Sequence, residues 1–233
     1  MTQTVMITGA SRGIGKAICA RLIDKSSVKE LVMVARDDEK LSETIDQLRI
    51  NSNQVKITPV ISDLDNPNEV DKIYDTIERE NVNIDTIINN AGYAEPKSIN
   101  ETTLEDFEKT MRVNLYSPFK IIQAAILRNQ PLKQVLNIAS TAGISGRPGW
   151  VTYSASKAAM INMSEVMREE FKPYDIDVIC ISPGRCATDL RKRLAPDEDP
   201  KTIMQPEQVA SVVQYLLSEP GALLMSQNLV VRT

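Results

Sequence analysis

Short apolar runs rich in β-branched residues alternate with longer amphipathic ones along the whole chain, and few folds satisfy that pattern. TVMIT (4–8), ELVMVA (30–35), VKITPVI (55–61), IDTII (84–88), VLNIAS (135–140) and IDVICIS (176–182) each read as a strand, with a seventh around 228–231. Most are apolar at consecutive positions, so both faces of the sheet must be covered. Between them, Ile14, Ala17, Ile18 and Leu22 fall on one helical face, KLSETIDQLRI forms a second helix, and a third runs from about Asn66 to Glu80. A long helical region spans Leu104 to about Arg128, where Pro118 is expected to bend it. Two more helices are expected over 151–171 and 206–218. The pattern is α/β, a parallel sheet between two helix layers. With no repeat, low-complexity stretch or linker, residues 1–233 read as a single three-layer α/β/α domain.

Composition then removes whole classes of chemistry. The chain has no histidine, which excludes Ser-His-Asp and Cys-His arrangements. Cys19, Cys180 and Cys186 show neither a CxxC pair nor metal-ligand spacing, so no metal is expected. A formal net charge of −4 predicts no electrostatic grip on nucleic acid. The opening MTQTVMITGAS lacks the basic and long apolar regions of a signal peptide. No run of about 18 apolar residues occurs. The expectation is a cytoplasmic protein with reduced thiols and no membrane partner.

Open parallel sheets bind ligands beyond the carboxyl ends of their strands. After the first strand comes TGASRGIG, with Gly9, Gly13 and Gly15 around Ser11, Arg12 and Ile14. Glycines permit a tight turn and close backbone approach, and the helix that starts at once offers N–H groups and a positive dipole end to a pyrophosphate. A tight turn that binds nothing is the alternative. After the second strand, Ala35 fills the place where a ribose 2′-OH usually meets a carboxylate, and Arg36 follows. With Arg12 nearby, two cations argue for a 2′-phosphate; a plain surface pairing of Arg36 with Asp37 or Asp38 is the other possibility. Ser62, Asp63 and Leu64 follow the third strand, and Asn89, Asn90, Ala91 and Gly92 the fourth. Ser140 ends the fifth; Pro183 and Gly184 follow the sixth, with Thr188 beyond.

TGASRGIG, NNAG, Asn114, Ser140, YSASK and PGRCAT, in this order and over essentially the whole chain, resemble the short-chain dehydrogenase/reductase family. The resemblance implies a Rossmann-type, doubly wound parallel sheet of seven strands and nicotinamide-dependent redox chemistry at a carbonyl or alcohol. It implies a catalytic set of Asn114, Ser140, Tyr153 and Lys157. Ser140 would hold the substrate oxygen, Lys157 the nicotinamide ribose, and Asn114 would link the lysine to solvent through a water. The cofactor-binding set is Gly9, Ser11, Arg12, Gly13, Ile14, Gly15, Arg36, Asp63, Leu64, Asn90, Ala91, Gly92, Pro183, Gly184, Cys186 and Thr188, with Tyr153 and Lys157 shared. Asp63 would meet adenine, Asn90 the adjacent ribose and Thr188 the carboxamide side of the nicotinamide. Arg12 and Arg36 resemble the NADP-preferring branch, so the expected cofactor is NADP(H). Cys186 stands where the family usually has an aliphatic residue and reads as packing.

Tyr153 and Lys157 stand at i and i+4 and share a helix face. A phenol titrates near 10; bringing it to near 7 takes about 4 kcal/mol of preferential stabilisation of the phenolate. A neighbouring ammonium in a partly desolvated cleft supplies most of that. Tyr153 is therefore the candidate general acid for reduction and base for oxidation; a solvated helix face is the bland alternative.

Specificity is expected from the loop after Asn90, from TAGISGRPGW, and from the segment at about 185–205. Arg147, Arg185, Arg191, Lys192, Arg193 and Lys201 would suit a phosphorylated or carboxylated substrate, or would pair with Asp197, Glu198 and Asp199. The segment loosely resembles that of reductases encoded with surface-polysaccharide genes, some acting on pentulose phosphates, so a sugar phosphate or polar ketone is expected. The alternatives are a general reductase of apolar ketones or diketones lined by Tyr93, Ile144 and Trp150, and a non-catalytic NADP(H)-sensing protein. By resemblance the partner is a second copy, a homodimer or homotetramer built on 104–128 and 151–171, where Ala155, Ala158, Ala159, Met163 and Met167 form a stripe. The family often ends in a glycine-rich tail; MSQNLVVRT departs from it, which favours the dimer.

Overall fold

The computed structural model describes residues 3–24, 28–51, 55–224 and 227–232. Its strands are β1 (Gln3–Thr8), β2 (Val28–Ala35), β3 (Lys56–Ile61), β4 (Thr86–Asn89), β5 (Gln134–Ile138), β6 (Asp177–Pro183) and β7 (Asn228–Val231). They form one seven-stranded sheet in the order β3-β2-β1-β4-β5-β6-β7, parallel at every pair. The helices are α1 (Gly13–Asp24), α2 (Asp38–Asn51), α3 (Val70–Arg79), α4 (Leu104–Met111), α5 (Ser117–Leu127), α6 (Val151–Phe171), α7 (Asp189–Leu194), α8 (Pro206–Leu216) and α9 (Glu219–Ala222).

Successive side chains of a strand serve opposite faces. In β1, Val5 and Ile7 enter one core with Ile18 and Leu22 of α1 and Val213 of α8. Met6 enters the other, with Ile73 and Ile77 of α3 and Ile121 of α5. Two covered faces explain why the strands are continuously apolar, and each fully buried aliphatic side chain contributes about 1.5–3 kcal/mol. The expected Rossmann-type architecture is present. Its topological switch lies between β1 and β4, where the chain leaves the sheet in opposite directions. That opens a crevice at the strand ends.

The reading of 104–128 as one bent helix needs correction. Thr103 starts α4 with a capping box, its Oγ1 accepting from the Asp106 N–H at 3.1 Å while Asp106 accepts from the Thr103 N–H at 2.9 Å. Pro118 then has no N–H for the Asn114 carbonyl, and its ring crowds that carbonyl. The backbone answers with a π turn over Arg112–Tyr116, in which the Ser117 N–H reaches back to the Arg112 carbonyl. Asn114 lies inside that turn, fully buried. Such turns often sit at functional sites. The apolar stripe of α6 also divides: Met167 is buried in the core, Met163 packs against it, and Ala158 is exposed.

Candidate active site

A cavity of about 490 Å³ occupies the crevice. Every residue of the expected cofactor-binding and catalytic sets borders it except Gly15 and Asn114. Those two lie just behind the wall, where they set the position of residues that do border it.

The first wall is backbone. Gly9 has φ +67° and its Cβ would stand 2.9 Å from the Ala91 Cα; a Cβ on Gly15 would overlap the Gly9 carbonyl oxygen and lie 2.6 Å from Asn90 Nδ2. The β1 and β4 loops therefore touch without side chains between them. Thr8, absent from the expected set, fixes this contact: its hydroxyl accepts from the N–H groups of both Asn90 and Ala91 at 3.0 Å. Asn90 Nδ2 returns to the Thr8 carbonyl at 2.9 Å. The available signal was a hydroxyl closing an otherwise apolar strand. Ser62 borders the cavity with its hydroxyl buried and without a hydrogen-bond partner among the described residues. A side-chain-free cradle and an orphaned hydroxyl fit a dinucleotide.

Arg12 and Arg36 are both exposed on this wall. The plain pairing of Arg36 with Asp37 or Asp38 does not form among the described residues. Asp37 is held instead by Lys40, its Oδ2 at 3.3 Å from the ammonium and its Oδ1 accepting the Lys40 N–H at 3.1 Å. Those bonds, with a smaller pull from Arg12, keep its carboxyl below the usual range.

The second wall carries the polar chemistry. Lys157 is buried and donates from Nζ to the Ile138 carbonyl at 2.7 Å, with Nζ 5.8 Å from the Tyr153 ring centre. Burial lowers its ammonium to about 8. Tyr153 was expected to be lowered by that ammonium, and the protein alone does the reverse. Desolvation raises the phenol, and the hydrogen bond with Ser140 and the charge of Arg147 offset only part of it. Trp150 meets the Tyr153 ring edge-on at 5.6 Å. Behind them Asn114 accepts the Tyr93 N–H at 2.8 Å and donates to the Tyr93 carbonyl and to Ser156 Oγ, both at 2.9 Å. Ser156 in turn donates to the Tyr153 carbonyl at 2.8 Å. The π turn is thereby tied to the helix that carries Tyr153.

The third wall is the segment 185–205, which closes over the cavity. Thr188 caps α7, accepting the Arg191 N–H at 3.2 Å. Cys186 is buried and bridges to Met204; burial raises its thiol to about 11, as expected of a packing residue. Glu198 takes a bidentate grip from Arg191 at 2.6 and 2.8 Å and a third bond from Arg185 at 2.8 Å, which holds its carboxyl at about 2. Ile144, expected to line an apolar pocket, is 51% exposed and does not border the cavity; Trp150, Leu190 and Leu194 do.

No grouping of His, Cys, Asp and Glu among the described residues has the geometry of a metal site, and no described helix is long and apolar enough to cross a membrane. The sequence is 30% identical over 227 residues to a 3-oxoacyl-[acyl-carrier-protein] reductase of Synechocystis sp., covering 94% of this chain and 91% of that one. It is 29% identical to an NAD-dependent glycerol dehydrogenase of Listeria innocua, covering 98% and 92%. Its fold matches a solved NADPH dependent reductase involved in bacilysin biosynthesis with a TM-score of 0.89 at 22% identity, over 100% and 97% of the two chains. The sequence profile of the short chain dehydrogenases fits residues 3–199. The cradle at the sheet switch and the Ser140, Tyr153 and Lys157 wall thus stand in a chain that belongs to the short chain dehydrogenase family of oxidoreductases.

Proposed function

We propose that this chain reduces a ketone or aldehyde to an alcohol, or runs the reverse oxidation, with NADP(H) as cofactor. The observation that carries the reading is that Ser140, Tyr153 and Lys157 share one wall of the cavity whose other end is the glycine cradle. When bound there, the cofactor supplies or takes the hydride. Tyr153 gives its phenolic proton to the substrate oxygen in reduction and takes one in oxidation. Burial keeps that phenol protonated, as a general acid must be before the step, while Ser140 and Arg147 limit the cost of forming phenolate. Ser140, which borders the same wall as Tyr153, orients the same oxygen. Asn114 holds the Tyr93 loop and is the candidate link for a proton relay from Lys157 to solvent.

Arg12 and Arg36, which form no ion pair among the described residues, favour a 2′-phosphate over a bare ribose. A sugar phosphate or polar ketone is the favoured substrate; Trp150, Leu190 and Leu194 on the wall favour an apolar ketone or diketone as the second reading. A shallow groove lined by Leu115, Tyr116, Phe119, Ala159 and Met163, with Phe119 42% exposed, supports a homodimer through α5 and α6. Three unpaired cysteines fit a cytoplasmic setting.

The test is titration with NADPH and NADH followed by nicotinamide fluorescence, then a carbonyl panel with the loaded enzyme. NADPH is expected to bind more tightly. Tyr153→Phe should keep cofactor binding and lower kcat on the order of 10²–10⁴-fold. Binding of neither cofactor would sink the reading.

A further inference from the structure

We propose that the substrate carries an anionic group, a carboxylate or a phosphate, received by the guanidinium groups of Arg147 and Arg193 at the end of the cavity beyond Tyr153. The proposal rests on the reductase reading and names the substrate class for it.

Three separate pieces of chain enclose that end, and backbone carbonyls tie them together. The Lys97 N–H donates to the Gly149 carbonyl at 3.0 Å, joining the loop after Gly92 to the loop that carries Arg147 and Trp150. Arg193 Nη2 donates to the Ala94 carbonyl at 3.0 Å, joining α7 to the same loop. Asn114 fixes Tyr93 between them. The chamber beside Tyr153 is therefore a built enclosure, closed around Tyr93 and Trp150.

The cations of the closing segment are not equivalent, which the sequence alone did not reveal. Arg185 and Arg191 are spent on Glu198. Lys192 and Lys201 do not border the cavity. Arg147 borders it, is exposed, and has no carboxylate partner among the described residues. Arg193 borders it and commits one N–H to a carbonyl, leaving donors of its planar fork for a ligand. The carboxylates that border the cavity are Asp63, at the end of β3, and Asp189, at the start of α7. Other charges face Tyr93: Asp106 is paired with Lys97 at 2.8 Å, Glu95 and Arg193 act on the phenol with opposite sign, and Lys109, which also borders the cavity, sits 4.9 Å over the ring and is paired with Asp65 at 3.8 Å. In a chain of net charge −4, two guanidiniums with no ion pair among the described residues, one from each of two segments that enclose the cavity, are a local positive site. Arg147 also favours the phenolate of Tyr153, so an anion bound there would change the acid's environment as well as its neighbour's geometry.

The experiment compares matched pairs: a short 3-oxo acid with its methyl ester, and a ketose phosphate with the free ketose. Binding to the cofactor-loaded protein is read by quenching of nicotinamide fluorescence, and turnover by absorbance. The charged member should bind about tenfold or more tightly than its neutral partner, the size of one charge-assisted hydrogen bond. Whichever pair shows the larger ratio identifies the anion as carboxylate or phosphate. Arg147→Gln combined with Arg193→Gln should bring each pair to within about twofold, whereas Lys133→Gln combined with Lys172→Gln, an equal charge change outside the cavity, should leave the ratio in place. Reading ratios cancels any shared effect of Arg147 on Tyr153. Equal binding of charged and neutral members overturns the proposal, as does a preference that survives the double substitution. Failure of the reductase reading would look different: no hydride transfer to any of the four compounds or to a neutral cyclic diketone, whatever the binding ratios.

Discussion

The glycine turn after β1 and the cap over residues 185–205 border the same cavity, yet they are held by different forces. In the turn, main chain lies against main chain: Gly9 and Gly15 leave no room for a Cβ, and Thr8 ties the β4 loop down through two N–H groups. In the cap, one carboxylate, Glu198, gathers two arginines from different turns of chain. A backbone contact has one geometry. A side-chain latch between partly exposed charges has several, at little difference in free energy. The cofactor end is thus fixed by exclusion, and the substrate end carries a charge latch whose strength depends on salt and pH.

The largest effect should come from breaking the cradle. Gly15→Ala places a methyl into the Gly9 carbonyl group, which is backbone, and against Asn90 Nδ2 at 2.6 Å, so the turn itself must move. A displacement near 1 Å at such a site costs on the order of 100-fold. Nicotinamide binding should weaken by about that much or vanish, while far-UV circular dichroism stays native. Unchanged cofactor affinity in a folded variant would show that the turn is softer than its contacts imply.

The same division explains what the sequence disclosed. Steric exclusion restricts residue type, so Gly9, Gly13, Gly15 and the Asn90-Ala91-Gly92 run stood out, and the continuously apolar strands announced a sheet covered on both faces. The π turn at 112–116 did not show, because inserting one residue into a helical turn barely alters a 3.6-residue apolar period; only its cause, Pro118, was visible, and it read as a bend. Thr8 and Ser156 look like any small polar residues until their partners across the fold are known. Glu198 stood among three acids, and chain closure in space, with no imprint on composition, selects it over Asp197 and Asp199. The direction of the Tyr153 shift was missed for a related reason: the depth of burial depends on what packs around the ring in space, Trp150 among it.

Lys157 stands on the seam between the two ends, and there the site costs stability. Its ammonium is lowered from an ordinary 10.5 to about 8 by burial, equivalent to about 3 kcal/mol withheld from the fold at neutral pH. The unfolded lysine keeps its proton up to about pH 10.5 and the folded one sheds it above about 8. Wild-type stability from this group therefore rises with pH across that window. Lys157→Met removes the charge at similar volume and forfeits the bond to the Ile138 carbonyl, a loss of about 1–2 kcal/mol. The variant should melt a few degrees higher at pH 7, with the gap shrinking toward pH 10, and its turnover should fall by about 100-fold or more. A variant less stable than wild type at pH 7 would mean that the hydrogen bond, and not desolvation, governs this position.

The smallest effect, and the sharpest test of the difference between the two ends, is Glu198→Gln. Glutamine keeps the shape and loses the charge that draws Arg185 and Arg191 together. Because the pair is partly solvated, global stability should change by less than about 1 kcal/mol. The local effect should be larger: amides of α7 should exchange with solvent several-fold faster, and KM for the substrate should rise about three- to fivefold, more than the Kd for cofactor does. The sign with pH is fixed by the carboxyl, whose value in the fold is about 2 against an ordinary 4.5. The latch is therefore fully present above about 4.5 and is lost as pH falls toward 2, so wild-type exchange in α7 should approach that of the variant over this interval. If α7 exchanges alike in both proteins at pH 7, the cap is held by its main chain, through the Ala187 N–H to the Met204 carbonyl at 2.8 Å and the Thr188 cap. The two ends of the cavity would then be built by one principle, and closure over the substrate would have to be sought in the loop that carries Arg147.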